Sequence, residues 1–454
     1  MTRPRPTTIA AVAALLVGTG AIAGWMSWRS ATALARVPAP PPAASTTPAI
    51  AAHVGQAFAA AQQNPGSIDA VGSLCLAYHA DMLFDQAERC YDLAIDLEPN
   101  AWSWHYHRAL LDFERGGSPA LAGRLRRVVE LEPDSATAWL RLGDAEFKAG
   151  RYDAAADAWG RARDLPADPA ASAAPTHHVE VPLAAYASLG LARIALVKGD
   201  NAGAVAILEP IAAAQPRFSI ALRLLADGLR ATGRAAEADA AVTRAGRLPP
   251  FAPYADPAVD ALARESRNAT LLLRLASEAD LAVNLEWSEH LTRRALEFEP
   301  DNPEAIAKMA RLHRAAERNE EALALFERYH RMVPGDFQVL AQIATTLSAL
   351  GRFEEAEGYF TQALRGVDDA VTHFNLGLLM ARTGRLDQAV AAYGRALERE
   401  PTLSDARSNL ATVFARQGRL DRAVQELERV LSNDPANPLA LKNLQVIRDM
   451  QAGR

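Results

Sequence analysis

Residues 139–159 read WLRLGDAEFKAGRYDAAADAW, two amphipathic stretches with helical spacing of apolar residues on either side of Gly150. Glycine ends helices because it adopts a left-handed backbone without steric cost, so this stretch predicts two short helices joined by the turn GRY. The arrangement returns at residues 373–401 as HFNLGLLMARTGRLDQAVAAYGRALEREP, with Gly384 at the turn. One helical hairpin is therefore written at least twice.

The prolines give the period. Pro65, Pro99 and Pro133 are 34 residues apart, as are Pro216 and Pro250, Pro300 and Pro334, and Pro401 and Pro435. With proline at position 32 of each unit, position 20 is small: Ala87, Ala155, Ala204, Ala238, Ala322, Ala356, Ala389 and Ala423. Position 8 is small too: Gly143, Ala192, Ala226, Ala276, Ala310, Ala344, Gly377 and Ala411. Position 24 is bulky in Tyr91, Trp159, Phe326, Phe360 and Tyr393. Small residues at 8 and 20 let the two helices of a hairpin approach closely, with the bulky residue filling the seam.

The two quoted stretches closely resemble the tetratricopeptide repeat (TPR), with its aromatic at position 4, Leu-Gly at 7 and 8, small residue at 20 and proline at 32. Ten units start near residues 68, 102, 136, 185, 219, 269, 303, 337, 370 and 404, and the second is the most degenerate, with Arg108 at position 7 and Leu121 at position 20. The resemblance implies an all-α solenoid of about ten stacked TPR helical hairpins in a right-handed superhelix. Three repeat blocks are expected: residues 49–165 (a half-unit plus three units), 185–250 (two units) and 269–436 (five units). An insertion at 166–184 separates the first two, and one at 251–268, containing a short helix, separates the last two. Residues 437–454 form a closing helix and tail.

Ahead of the array, an uncharged apolar run from Ile9 to Trp28 follows Arg3 and Arg5. Its length suits one bilayer crossing, so residues 1–30 read as an N-terminal transmembrane anchor or a cleaved signal peptide, followed by a Pro/Ala-rich linker at 31–48. The expected location is the bacterial cell envelope: a single-pass inner-membrane protein with its array on the periplasmic side or, if cleaved, a periplasmic or secreted one. Lysine occurs only at 148, 198, 308 and 442, the usage of a GC-rich bacterial genome. The net charge of −6 and the lack of like-charge blocks argue against a nucleic-acid partner.

Chemistry is sparse. There is no glycine-rich phosphate loop, nucleophile elbow, HExxH or CxxCH, so no enzyme, metal or cofactor is expected. Cys75 and Cys90 sit at positions 8 and 23 of one hairpin, where either a disulfide or two packed thiols fit. The adjacent His177 and His178 lack a third ligand. His105 and His107, in AWSWHYH, are two residues apart on a helix and point about 200° apart, so they do not converge on a metal.

By the resemblance, positions 2, 5, 6, 9, 12 and 13 of each unit line a concave groove. Asn375, Asn409 and Asn443 fall at position 6 of the last two units and the closing helix, and Arg382 and Arg416 at position 13. Regularly spaced asparagines can donate to and accept from the backbone of an extended peptide, with arginines beside them to hold an anion. This is similar to the asparagine ladder in the repeat domain of O-GlcNAc transferases, although only three rungs match and the transferase domain is absent. Tyr106, Phe113, Phe147 and Tyr186 form a secondary groove wall. The reading is a non-catalytic protein-interaction scaffold that binds protein or peptide partners in its groove. Alternatives are an accessory role in exopolysaccharide export or cytochrome maturation, or glycan binding on the aromatic wall.

Overall fold

The computed structural model describes residues 33–166, 181–248, 254, 256–281, 284–435 and 437–453. The chain divides into two compact units, Met1–Pro300 and Asp301–Arg454.

In the first unit α1 (Pro48–Gln63) precedes three hairpins: α2 (Ile68–Ala80) with α3 (Phe84–Leu97), α4 (Trp102–Glu114) with α5 (Leu121–Leu131), and α6 (Ala136–Lys148) with α7 (Tyr152–Asp164). Two more follow, α8 (Leu183–Val197) with α9 (Asn201–Ala214) and α10 (Ser219–Ala231) with α11 (Ala235–Gly246). A single short helix, α12 (Pro257–Glu265), comes before the last pair, α13 (Ala269–Leu281) with α14 (Leu285–Phe298). The second unit holds α15 (Pro303–Ala315) with α16 (Asn319–Met332), α17 (Phe337–Ala349) with α18 (Phe353–Gly366), and α19 (Ala370–Arg382) with α20 (Leu386–Arg399). It ends with α21 (Ser404–Arg416), α22 (Leu420–Asn433) and the closing α23 (Pro438–Ala452).

One expectation is corrected. The apolar run at 9–28 lies outside the described residues, and among the described residues no helix is long and apolar enough to cross a membrane. The longest, α1, has 16 residues, or about 24 Å at 1.5 Å per residue, short of a bilayer core. The membrane-anchored, single-pass reading and the periplasmic placement that followed from it therefore have no structural support. They are set aside, together with the N-terminal helix as part of the fold.

Packing follows the repeat register. The eight alanines at position 20 are fully buried, and the position 24 aromatics Tyr91, Trp159, Phe326, Phe360 and Tyr393 are buried beside them. Where position 8 is glycine the partner ring lies directly on the backbone: a β-carbon on Gly377 would fall 2.6 Å from the Tyr393 ring. Trp159 goes further, packing against Gly143 of its own hairpin and Gly190 of the next, so it joins α6, α7 and α8 in one core. Between the helices of a hairpin the chain turns through a left-handed residue at position 15. This is glycine in most units, but Met82 and Glu317 adopt φ +60° in theirs.

Two further links hold the first unit. Cys75 and Cys90 are joined as a disulfide, their Cα atoms 5.1 Å apart, because these close-packed positions bring α2 and α3 within bridging reach. The second insertion does not loop away from the array. Helix α12 packs on α2, with Leu262 and Ala263 buried, and its flanks reach residues far back in the chain.

Candidate binding faces

In the second unit, Asn375, Asn409 and Asn443 sit at one register on α19, α21 and α23, each half-buried. The Asn409 amide donates to the Asp405 carbonyl of its own helix at 2.9 Å, leaving its oxygen open as an acceptor. The neighbouring arginines have structural work. Arg382 donates from Nη1 to the Ser348 carbonyl at 3.2 Å and lies over the Phe353 ring at 5.2 Å. Arg416 donates to the Ala381 carbonyl at 2.8 Å. Each thus adds a second donor to a carbonyl near the C-terminal end of the preceding first helix, where the helix dipole favours a cation.

The aromatic wall of the first unit centres on Arg141. Its Nε donates to Asp256 Oδ2 at 2.8 Å and lies 2.9 Å from the Tyr106 hydroxyl, which itself donates to Asp256 at 2.9 Å. The guanidinium also stands over the rings of Phe113 at 5.2 Å and Tyr254 at 5.3 Å. Asp256 is 1% exposed and caps α12 by accepting from the Ala258 amide, so one carboxylate ties the insertion to α4 and α6. A second tie is Asp81, which accepts from the Arg267 amide at 2.6 Å and from His53 at 2.7 Å, while its carbonyl accepts from Asn268.

Of the four wall residues, Tyr106 is buried under Asp256. Tyr186 is engaged edge-to-face with Phe218 and Tyr254, and Phe147 is covered by Arg193 at 4.3 Å. Phe113 stays exposed. Beneath them lies a cavity of about 370 Å³ that Phe113 and Tyr186 help to line, together with Arg141, Asp144, Arg193 and Tyr254. Burial pushes the Asp144 carboxyl up to about 6, against the pull of Arg141, Arg193 and the Trp159 indole.

Sequence reading missed the partners supplied by the insertion, since Tyr254 and Asp256 lie outside the repeat register and carry no motif. It also left Arg108 unexplained. This residue replaces the usual leucine at position 7 and is 3% exposed, ion-paired with Glu88 and Asp112. Asp112 is held in turn by Arg124 at 2.9 Å. The degenerate second hairpin is thus charged where its neighbours are apolar, with the charges matched locally.

The histidines of AWSWHYH separate as the helical geometry requires. His105 bonds the Pro99 carbonyl at 2.9 Å, while His107 stacks on Tyr91 with centroids 5.9 Å apart. His177 and His178 lie outside the described residues. Among the described residues no group of three or more His, Cys, Asp or Glu side chains is placed to hold a metal.

A tetratricopeptide-repeat family model matches residues 122–172, 307–371, 341–402 and 374–438. Those segments are tetratricopeptide repeats. Together they cover less than half of the chain, and no curated protein matches it. Among solved structures it is similar to YrrB, described as a TPR protein with an unusual peptide-binding site, at 22% identity over 39% of this chain and 91% of that one, TM-score 0.32. It is similar to a thermophilic TPR protein, TTC0263 from Thermus thermophilus, at 25% identity over 39% of this chain and 97% of that one, TM-score 0.35. Yeast Tom70 aligns over 85% of this chain and 96% of its own at 15% identity, TM-score 0.36. The matched repeats are of a kind that stacks into solenoids with extended surfaces suited to protein interaction.

Proposed function

We propose that the second unit binds an extended peptide along the face formed by α19, α21 and α23. The observation that carries this reading is the asparagine row: Asn375, Asn409 and Asn443 recur at one register on the alternate helices α19, α21 and α23, each of them half-buried. Carboxamides repeated in register bond a peptide's amides and carbonyls without regard to its side chains, which suits a scaffold with several clients. Arg382 and Arg416, tied to the helix ends, hold the row's spacing and give the face a positive edge for an acidic or carboxylate group.

The test is a selection of random peptides on the full chain, counter-screened against the N375A/N409A/N443A variant. The selected peptides should lose about 0.5 to 1.5 kcal/mol of binding per asparagine removed. Equal binding by the variant, with its helix content unchanged, overturns the reading.

A further inference from the structure

The cavity in the first unit is a separate place, and its charges do not balance internally. Arg141 is matched by Asp256, while Arg274 is matched by Glu278 at 3.0 Å and Glu114 at 3.5 Å. Two lining residues are left. Asp144 on α6 and Arg193 on α8 both occupy position 9 of their units, so the repeat brings an anion and a cation to equivalent places on successive first helices. Among the described residues they form no close ion pair with each other or with another charged side chain, although the charges of Arg141 and Arg193 act on Asp144 at longer range. Arg193 instead lies flat over Phe147.

Half-buried charges without ion-pair partners are costly to hold, and a ligand that offers the opposite charges recovers that cost. A ligand with only a carboxylate leaves Asp144 unmatched, and one with only a cation leaves Arg193 unmatched. Leu140, Leu189, Ile220 and Val259 make the remaining wall apolar, and about 370 Å³ falls within the usual range of about 300 to 1,000 Å³ for small-molecule sites. We infer that this cavity binds a free zwitterion of amino-acid type with an apolar side chain, its carboxylate on Arg193 and its ammonium on Asp144. The aliphatic wall selects the side chain, and the ion pairs fix the orientation.

The experiment is calorimetric titration of the full chain with leucine, isoleucine, phenylalanine and methionine, and with the N-acetyl and carboxamide forms of each. Saturable binding of at least one free amino acid is expected, with both capped forms weaker by about tenfold or more. R193Q should weaken the free acid and the N-acetyl form but not the amide, and D144N the free acid and the amide but not the N-acetyl form. The capped series needs no variant, so the result stands even if one substitution unfolds the unit. The assignment is overturned if none of the free amino acids binds at millimolar concentration, or if a capped form or a peptide blocked at both ends binds as tightly as the free acid.

Discussion

The indole of Trp159 occupies the space a β-carbon on Gly143 would need: such an atom would lie 2.4 Å from the ring's Cδ1 and Nε1. Position 8 and position 24 of a hairpin are therefore chosen together. Where position 8 is alanine in the second unit, the partner is smaller than tryptophan: Phe326 with Ala310, Phe360 with Ala344 and Leu427 with Ala411. Gly143→Ala should destabilise the first unit by about 1 to 3 kcal/mol through overpacking, read as a lower urea midpoint. Adding Trp159→Phe should return part of the loss. An unchanged midpoint in the single variant contradicts the packing rule.

The turn at position 15 gives a stabilising substitution. Glu317 holds φ +60° where other hairpins carry glycine, and a left-handed backbone costs a residue with a β-carbon about 1 to 2 kcal/mol. Part of that relief is offset by glycine's greater freedom in the unfolded chain. Glu317→Gly should raise stability by roughly 0.5 to 1 kcal/mol, seen as a higher melting temperature for the second unit.

Asp256 anchors the insertion at the inner aromatic wall. Asp256→Ala leaves the buried Arg141 without its carboxylate, a loss of about 3 to 5 kcal/mol for a broken buried pair. Amide exchange should quicken across residues 256–268 and in α4, with α9 to α11 little changed. Uniform protection identical to the parent would show that the insertion is held by other contacts.

Two groups shifted by desolvation give opposite pH dependences. Burial, aided by charge on His79, lowers His107 from 6.5 to about 4. Below pH 6.5 the unfolded chain takes up a proton that the folded chain refuses until about 4. This histidine's contribution is complete above pH 6.5 and is lost as pH falls to 4, by up to about 3 kcal/mol. Asp144 is raised from 3.8 to about 6, so its contribution is complete below 3.8 and is lost as pH rises to 6. Melting temperatures against pH should show His107→Gln flattening the acid limb, and Asp144→Asn gaining about 1 to 2 kcal/mol at neutral pH.

The hairpin fold was legible because its determinants are local and repeated: a small residue at 8 and 20, a bulky one at 24, a turn at 15. Each recurs often enough that a single exception, such as Leu121 at position 20 or Met82 at position 15, does not hide the register. The cavity was not legible for the opposite reason. Tyr254 and Asp256 reach Tyr106 and Arg141 across more than a hundred residues from a segment with no period, and no local pattern encodes such a contact. The roles of Arg382 and Arg416 were half-visible. Their shared position marks a repeated function, and the structure shows that this includes bonding the carbonyls of the preceding helix.

The central functional claim is that the asparagine row reads peptide backbone. It is tested most directly by calorimetry on one selected peptide, comparing an alanine scan of its side chains with an N-methyl scan of its amides, in the parent chain and in N409A. The account predicts that N-methylation at particular residues weakens binding by about 0.5 to 1.5 kcal/mol each, that most alanine changes do little, and that N409A removes sensitivity at one methylated position. Binding that depends on side chains and ignores every N-methyl group would contradict it.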